Sequence, residues 1–211
     1  SVRQELGAQL AREHPVEADM VIGIPDSSTA AAVGYAQESG IPYSEGLVKN
    51  RYVGRTFIEP EQRLRDLGVR QKFNPLADVI RGKRLVVVDD SIVRGTTTPH
   101  VVNLLRKAGA AEIHMRVCAP PIKHPCYMGV DMATRQELIA ANLTVEEIRQ
   151  MIGADTLGFL AVEGLMKVAE GSSGGARGGF CDACFTGNYP VPVQLELTKL
   201  VLDESSSKTP S

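Results

Sequence analysis

The sequence predicts an α/β fold with a mostly parallel central sheet flanked by helices. Two observations support this fold class: short runs rich in β-branched residues alternate with helical stretches, and that alternation implies crossover connections between parallel strands. The strand-like runs are 20–25, 46–48, 84–90, 113–119 and 156–160, and the helical stretches are 29–39, 99–108, 135–141 and 145–152. Thr144 followed by Glu147 fits a capping box, which supports the helix at 145–152.

The composition is that of an ordinary globular protein without a nucleic-acid or membrane partner. The chain has 211 residues, enough for one substantial core, and its net charge of −2 gives no excess of positive charge. No apolar run approaches the ~18 residues of a membrane span, and no signal-peptide pattern opens the chain. A cytoplasmic setting follows as the expectation.

The chain divides into a domain and a C-terminal extension. It starts at Ser1 without a Met and runs at once into a helical spacing of apolar residues, so it reads as a piece of something longer. We predict a domain over 1–170, a flexible glycine-rich tract with a Cys-x-x-Cys extension over 171–202, and a disordered tail over 203–211.

The run Val86–Thr98 is the most informative stretch. A β-branched strand ends in Asp89 and Asp90, and a turn with Gly95 follows. Backbone N–H groups of a turn that leads into a helix suit a phosphate, and two carboxylates accept hydrogen bonds from sugar hydroxyls or hold Mg²⁺. The hydroxyl donors of the turn are Ser91, Thr96, Thr97 and Thr98. A ribose 5-phosphate site is therefore predicted, against the alternative of an Asp-capped turn; the P-loop pattern is absent.

Two further segments are ambiguous from their residues alone. Ile24–Ser28 follows an apolar strand, and by itself fits an Asx or Ser turn that starts a helix. The interval 49–81 is long and basic, so it suits a lid, a disordered insertion, a solvated surface or a nucleic-acid arm.

The four cysteines fall into two groups. Cys118 lies in an apolar strand and is predicted to be a small core residue. Cys126 and the pair Cys181 and Cys184 lie outside strands, and a Cys-x-x-Cys pair fits a zinc site or a redox pair equally well.

The run Val86–Thr98 resembles the phosphoribosyl pyrophosphate (PRPP) binding motif of type I phosphoribosyltransferases. The run Lys49–Ile58, KNRYVGRTFI, narrows the resemblance to the glutamine PRPP amidotransferase family, and the likeness covers about 2–189. The resemblance implies the type I phosphoribosyltransferase fold and the synthase half of that enzyme. This half forms 5-phosphoribosylamine and pyrophosphate from PRPP and ammonia, the first step of de novo purine biosynthesis.

The resemblance also implies roles for individual residues. Asp89 and Asp90 would hold the ribose hydroxyls and Mg²⁺, and Ser27 would join them at the metal. Residues Arg94 to Thr98 would bind the 5-phosphate. The pyrophosphate would lie against a loop made of Asp26, Ser27 and Ser28. The interval 49–81 would be the lid that closes over PRPP, and its phosphate contacts would come from Lys49 and Arg51.

The iron–sulfur branch of the family carries a [4Fe–4S] cluster, and Cys126, Cys181 and Cys184 match three of its ligand positions. Four thiolates normally hold such a cluster, and the fourth ligand lies upstream of residue 1. The glutaminase domain is also absent, so ammonia derived from glutamine would come from outside this chain. The resemblance further implies feedback by purine nucleotides and a homo-oligomer, a tetramer.

Two other functions fit the same fold. A regulatory module that senses PRPP or a nucleotide is the first alternative, and a purine or orotate phosphoribosyltransferase is the second. The lid run favours catalysis, and the cysteines together with the lid sequence disfavour the second alternative. The fold by itself does not separate the three.

Overall fold

The computed structural model describes residues 1–50, 72–130, 134–172 and 179–192. The strands in this part of the chain are β1 Met20–Gly23, β2 Leu47–Lys49, β3 Phe73–Pro75, β4 Arg84–Asp89, β5 Glu112–Val117 and β6 Thr156–Phe159. The helices are α1 Val2–Glu13, α2 Thr29–Ser39, α3 Ala77–Ile80, α4 Thr98–Lys107, α5 Ile139–Asn142, α6 Val145–Ile152, α7 Val162–Ser172 and α8 Ala183–Thr186, with a 3₁₀ turn at Arg135–Glu137.

The central sheet is parallel throughout and has the strand order β1-β4-β5-β6. Strands β1 and β4 are neighbours although they are far apart in the sequence, and Gly23 pairs with Val88 at their carboxyl ends. The predicted fold class is confirmed. In such sheets, ligands bind beyond the carboxyl ends of the strands, so the loops after β1 and β4 lie side by side at the ligand edge.

The side chains of alternate strand residues pack into two apolar clusters, one on each face of the sheet. Val86 and Val88 pack with α1 and α2 on one face, while Leu85 and Val87 pack with α4 and α6 on the other. Because both faces are covered, these strands read as continuous apolar runs without polar alternation.

Helices α1 and α2 cross at two glycines. A Cβ atom on Gly7 would lie 1.9 Å from the carbonyl oxygen of Ala31, and one on Gly34 would lie 1.9 Å from that of Gln4. Both distances are well below van der Waals contact, so the backbones approach as closely as they do because neither position has a side chain.

The end of the predicted lid interval belongs to the core. Strand β3 pairs antiparallel with β2 in a second, two-stranded sheet, and the side chains of Phe73 and Ile80 are buried in the larger apolar cluster. The expectation that the lid extends to 81 is therefore wrong for 73–80. Arg51 and the rest of the interval up to 71 lie outside the described residues.

The helix predicted over 135–141 is broken in two. Leu138 has an extended backbone, with φ −75° and ψ 113°, and separates the 3₁₀ turn from α5. Its side chain is fully buried, while the N–H of Ile139 donates a hydrogen bond to the carbonyl of Val93 at 2.9 Å. A single straight helix would not make both contacts, so tertiary packing overrides the local preference.

The other predicted helices are present within a residue or two of their expected ends. The capping box of α6 is confirmed, because the Glu147 N–H donates to Thr144 Oγ1 at 3.3 Å and the Thr144 N–H donates to Glu147 Oε2 at 2.7 Å. Helix α7 extends to Ser172, two residues into the tract expected to be flexible. Across the described ranges, no helix is both long and apolar enough to span a membrane.

Candidate active site

The loops after β1 and β4 meet at the carboxyl edge of the sheet. The N–H of Ile24 donates to the carbonyl of Val88 at 2.9 Å, which extends the ladder by one residue beyond β1. The buried hydroxyl of Ser28 then donates to Asp89 Oδ1 at 3.4 Å. The loops after β1 and β4, which are far apart in the sequence, therefore form one polar surface.

The environment of Asp89 perturbs its carboxylate strongly. Burial first, and then the negative charge of Asp90, raise the pKa of Asp89 from the ordinary 3.8 to about 7. The N–H of Asp90 and the hydroxyl of Ser28 donate to Asp89 and oppose this increase. A cation placed at these oxygens would offset both the desolvation and the repulsion between the two acids.

The donor chemistry of this edge fits Mg²⁺. Carboxylate and hydroxyl oxygens are its preferred protein ligands, and Mg²⁺ commonly uses one or two carboxylates together with phosphates of the substrate. Among the described residues, no group of three or more His, Cys, Asp or Glu side chains is arranged to hold a metal. Asp89 and Asp90 supply carboxylate oxygens of this kind at the carboxyl end of β4.

Lys49 reaches the first of the two loops. Its ammonium nitrogen lies 2.7 Å from Asp26 Oδ2, so the end of β2 is joined to this loop by an ion pair. Arg3 of α1 contacts the same loop, since its guanidinium donates to the carbonyl of Ser27 at 3.3 Å. Of the two cations expected to bind phosphate, Lys49 lies beside the Asp26 loop and Arg51 lies outside the described residues.

The turn 91–98 wraps around the N-terminus of α4 and contains Gly95 in the left-handed region, with φ +67°. A Cβ there would lie 2.5 Å from Ile139 Cδ1 and 3.0 Å from Met151 Cε. Thr97 precedes α4 without a side-chain hydrogen bond that caps the helix. The N–H groups of the turn and the positive end of the helix dipole therefore suit an anion.

A cavity of about 780 Å³ extends from this turn to the cysteines. Its lining includes Asp89, the turn 91–98 and two tyrosines, Tyr127 and Tyr189, whose ring centroids are 5.2 Å apart. The hydroxyl of Tyr189 donates to the carbonyl of Pro125 at 2.7 Å. The remaining lining is mostly apolar, with Ile122, Met128 and Val130 among its members.

The cysteines separate as their sequence contexts suggest. Cys118 is buried in the apolar cluster beneath α1 and α2, and burial raises the pKa of its thiol to about 12, which confirms a core residue. Cys126, Cys181 and Cys184 line the same cavity. Burial raises the pKa of Cys184, and the other two cysteines raise it further, so the three sulfurs lie close enough to interact.

Two residues of this site were not identified from the sequence. Arg3 lies in an ordinary amphipathic helix, and no local pattern indicates that it reaches Ser27. Glu137 lies 3.4 Å from Arg94, measured from Oε1 to Nε. The capping role of Glu137 could have been predicted from the sequence, because Thr134 and Glu137 have the same capping-box spacing as Thr144 and Glu147.

The sequence matches the model of the phosphoribosyl transferase domain over residues 4–136. The chain belongs to this family, and the parallel central sheet flanked by helices is the fold that the family predicts. The resemblance noted in the run from Val86 to Thr98 is thus confirmed.

Within that family the chain is similar to amidophosphoribosyltransferases. It is 57% identical to that of Bacillus subtilis over 193 residues, which cover 92% of this chain and 40% of the relative. It is also 57% identical to that of Archaeoglobus fulgidus over 191 residues, which cover 90% of this chain and 41% of the relative. The chain thus spans about two-fifths of the length of these curated relatives.

A solved structure agrees with the sequence comparison. The B. subtilis glutamine PRPP amidotransferase complexed with ADP and GMP superimposes with a TM-score of 0.82 at 56% identity. The match covers 93% of this chain and 43% of that chain.

Proposed function

We propose that this chain is the synthase half of an amidophosphoribosyltransferase and forms 5-phosphoribosylamine and pyrophosphate from PRPP and ammonia. That reaction is the first step of de novo purine biosynthesis. The observation that carries the proposal is the contact between Ser28 and Asp89, which joins the two loops into a single surface with an acidic pair beside an anion-binding turn. The identity of 57% to the B. subtilis relative supports it.

The roles of the loops follow from their chemistry. As the resemblance implies, Asp89 and Asp90 would accept hydrogen bonds from the ribose hydroxyls and, with Ser27, would provide oxygen ligands for Mg²⁺. When bound, Mg²⁺ supplies positive charge that neutralises the pyrophosphate leaving group. The backbone and hydroxyls of 94–98 bind the 5-phosphate at the start of α4.

We assign Lys49 a contact with the pyrophosphate. Its ammonium is paired with Asp26, whose side chain is largely exposed, so an incoming polyanion can exchange with that carboxylate without unfolding any element. Exposed ion pairs stabilise a fold by only about 0–1 kcal/mol, so the exchange costs little. Arg51 follows two residues later in the same segment, and we assign it a second phosphate contact in a lid that begins at Lys49. Closure of such a lid excludes water, which would otherwise compete with ammonia at the anomeric carbon.

Glutamine is the proposed source of ammonia in the intact protein, through a glutaminase domain that this chain does not include. The solved relative that binds ADP and GMP supports purine nucleotides as feedback inhibitors of the intact protein. We further propose a cytoplasmic homo-oligomer, a tetramer, as the resemblance implies.

The three cavity-lining cysteines are the proposed ligands of a [4Fe–4S] cluster. Their thiol chemistry fits the group and they line one cavity, although no three cysteines of the described ranges are arranged as a metal site. The segment around α8 is held against the loop that leads to Cys126, because the N–H groups of Lys123 and His124 both donate to the carbonyl of Cys184 at 3.0 Å. Because three of the four cysteines line this cavity and Cys118 is a core residue, we expect the 211-residue chain to hold an incomplete cluster or none; an assay that finds four iron and four sulfide per chain would contradict this.

Pyrophosphate release tests the proposed reaction. We expect the purified 211-residue chain to release pyrophosphate from Mg²⁺–PRPP when ammonium chloride is the nitrogen donor, and to release much less in a control without ammonia. Release that does not depend on ammonia would contradict a synthase. Binding of PRPP without turnover is the result that a regulatory sensor would give.

A further inference from the structure

Three independent contacts join the turn Thr134–Ile139 to the turn 91–98, which the proposed function assigns to the 5-phosphate. The Ile139 N–H donates to the carbonyl of Val93 at 2.9 Å, which joins the two backbones. Ile139 Cδ1 lies 2.5 Å from the position that a Cβ of Gly95 would occupy. The carboxylate of Glu137 lies 3.4 Å from Nε of Arg94.

Glu137 is itself held in place by its own turn. Its Oε2 accepts hydrogen bonds from the Thr134 N–H at 3.1 Å and from the Thr134 hydroxyl at 3.2 Å. The other oxygen, Oε1, is the one that approaches Arg94. One carboxylate therefore caps the 3₁₀ turn and contacts the loop at the same time, so its position is fixed before any ligand arrives.

The geometry of the Arg94 contact leaves its guanidinium able to bind a second anion. Arginine has five N–H donors in a rigid planar fork. The contact with Glu137 uses Nε, which lies on one edge of the fork, and Arg94 lines the cavity next to the turn 95–98. A terminal nitrogen can then bind phosphate while Nε stays on the carboxylate.

We propose that Glu137 is a positioning residue for the phosphate site: it holds the Arg94 guanidinium in the orientation that binds the 5-phosphate. This assignment rests on the proposed function, because it takes the anion at the loop to be the 5-phosphate of PRPP. It adds a residue from a separate turn to the phosphate site formed by the loop after β4.

The charge of Glu137 acts against its positioning effect. A carboxylate close to a phosphate repels it, so loss of this charge by itself would strengthen phosphate binding. Both side chains of the pair are about half exposed, and water screens such repulsion. A charge-assisted contact that fixes a flexible arginine acts at short range and is screened less, so we expect the positioning effect to be the larger of the two.

The test is a double-mutant cycle on the 211-residue chain, with affinities measured by calorimetry in the presence of Mg²⁺. The variants are Glu137→Gln, Arg94→Gln and the two combined, and the ligands are PRPP, ribose 5-phosphate and pyrophosphate. Glutamine keeps an oxygen that caps Thr134 but removes the charge that attracts Arg94. Thr134→Ala is the matched control, since it removes one hydrogen bond of the cap and leaves the carboxylate in place.

We expect Glu137→Gln to weaken the binding of PRPP and of ribose 5-phosphate about two- to fivefold, the range of an exposed ion pair, and to leave the binding of pyrophosphate unchanged. In the Arg94→Gln background the same change should have no effect, and Thr134→Ala should weaken binding less than twofold. An equal loss for all three ligands would indicate a structural role, and tighter binding would indicate competition; either result would overturn the assignment. If wild type binds PRPP but Glu137→Gln does not change its affinity, only this assignment fails. If wild type binds no ribose 5-phosphate, the proposed function fails as well.

Discussion

Replacing Asp89 with Asn is expected to weaken binding of Mg²⁺–PRPP about 100-fold, because a charged contact to the metal and the ribose hydroxyls is lost. Asn at this position keeps the shape of the side chain and still accepts the hydrogen bond from Ser28. The loss is therefore assigned to the charge of Asp89, which the geometry of the loop places next to Asp90.

The same variant is expected to be more stable than wild type at pH 8. The folded pKa of Asp89 is raised to about 7 from the ordinary value of 3.8. A group with a raised acid pKa destabilises the folded state only where it is ionised, so the wild-type free energy of unfolding should fall as the pH rises from about 4 to about 7. Asn does not titrate and should remove this decrease, a gain on the order of 2 kcal/mol at pH 8 after allowance for partial exposure to water.

Calorimetry and urea unfolding at pH 4, 6 and 8 measure the two effects together. The control is Asp78→Asn, which removes an exposed carboxylate from α3 and should change neither quantity. A gain in stability together with a loss of binding is typical of a residue whose charge serves function at the expense of the fold. A loss of stability at pH 8, or an unchanged PRPP affinity, would contradict the role assigned to Asp89.

Replacing Gly34 with Ala is expected to lower the free energy of unfolding by about 3 kcal/mol, at the upper end of what overpacking usually costs. The new Cβ would lie 1.9 Å from the carbonyl oxygen of Gln4, so α1 must move away from α2. The better helix propensity of Ala recovers only about 1 kcal/mol. Gly7→Ala, on the other side of the same crossing, should have a similar effect.

Urea unfolding measures this change. Gly171→Ala is the matched control, because it adds the same methyl group to α7 at a position with no atom within 4 Å, and its stability should stay equal or rise slightly. Displacement of α1 should also disturb the loop that Arg3 contacts at Ser27, so Gly34→Ala should weaken PRPP binding at temperatures where it remains folded. Equal stability of Gly34→Ala and Gly171→Ala would show that the helices are not in tight contact.

Local patterns were sufficient to predict the four strands of the central sheet, several of the helices and the acidic loop, but not β3, α7 or α8. The apolar strand before Asp89 and the hydroxyl-rich turn after it lie within thirteen residues. An anion site at the start of a helix is built from neighbouring residues, so this run was sufficient to predict it. The capping box at Thr144 is likewise local, and it fixed the start of α6 correctly.

Long-range contacts were not predictable in the same way. Strands β2 and β3 pair across a long interval of basic composition. That composition predicted a lid, so the burial of the apolar residues Phe73 and Ile80 was missed. The break at Leu138 depends on a hydrogen bond to Val93, which no propensity encodes. Arg3 contacts Ser27 only because α1 crosses α2 at two glycines. Sequence patterns do not indicate which helices pack against each other, so this contact could not be predicted.

Calorimetric titration of the purified wild-type chain with PRPP, with and without Mg²⁺, tests the central claim most directly. We predict one binding site per chain for Mg²⁺–PRPP, weaker binding without the metal, and competition by ribose 5-phosphate and by pyrophosphate, since the loops after β4 and β1 would hold the two ends of PRPP. A folded chain that binds neither PRPP nor its two parts would contradict the account.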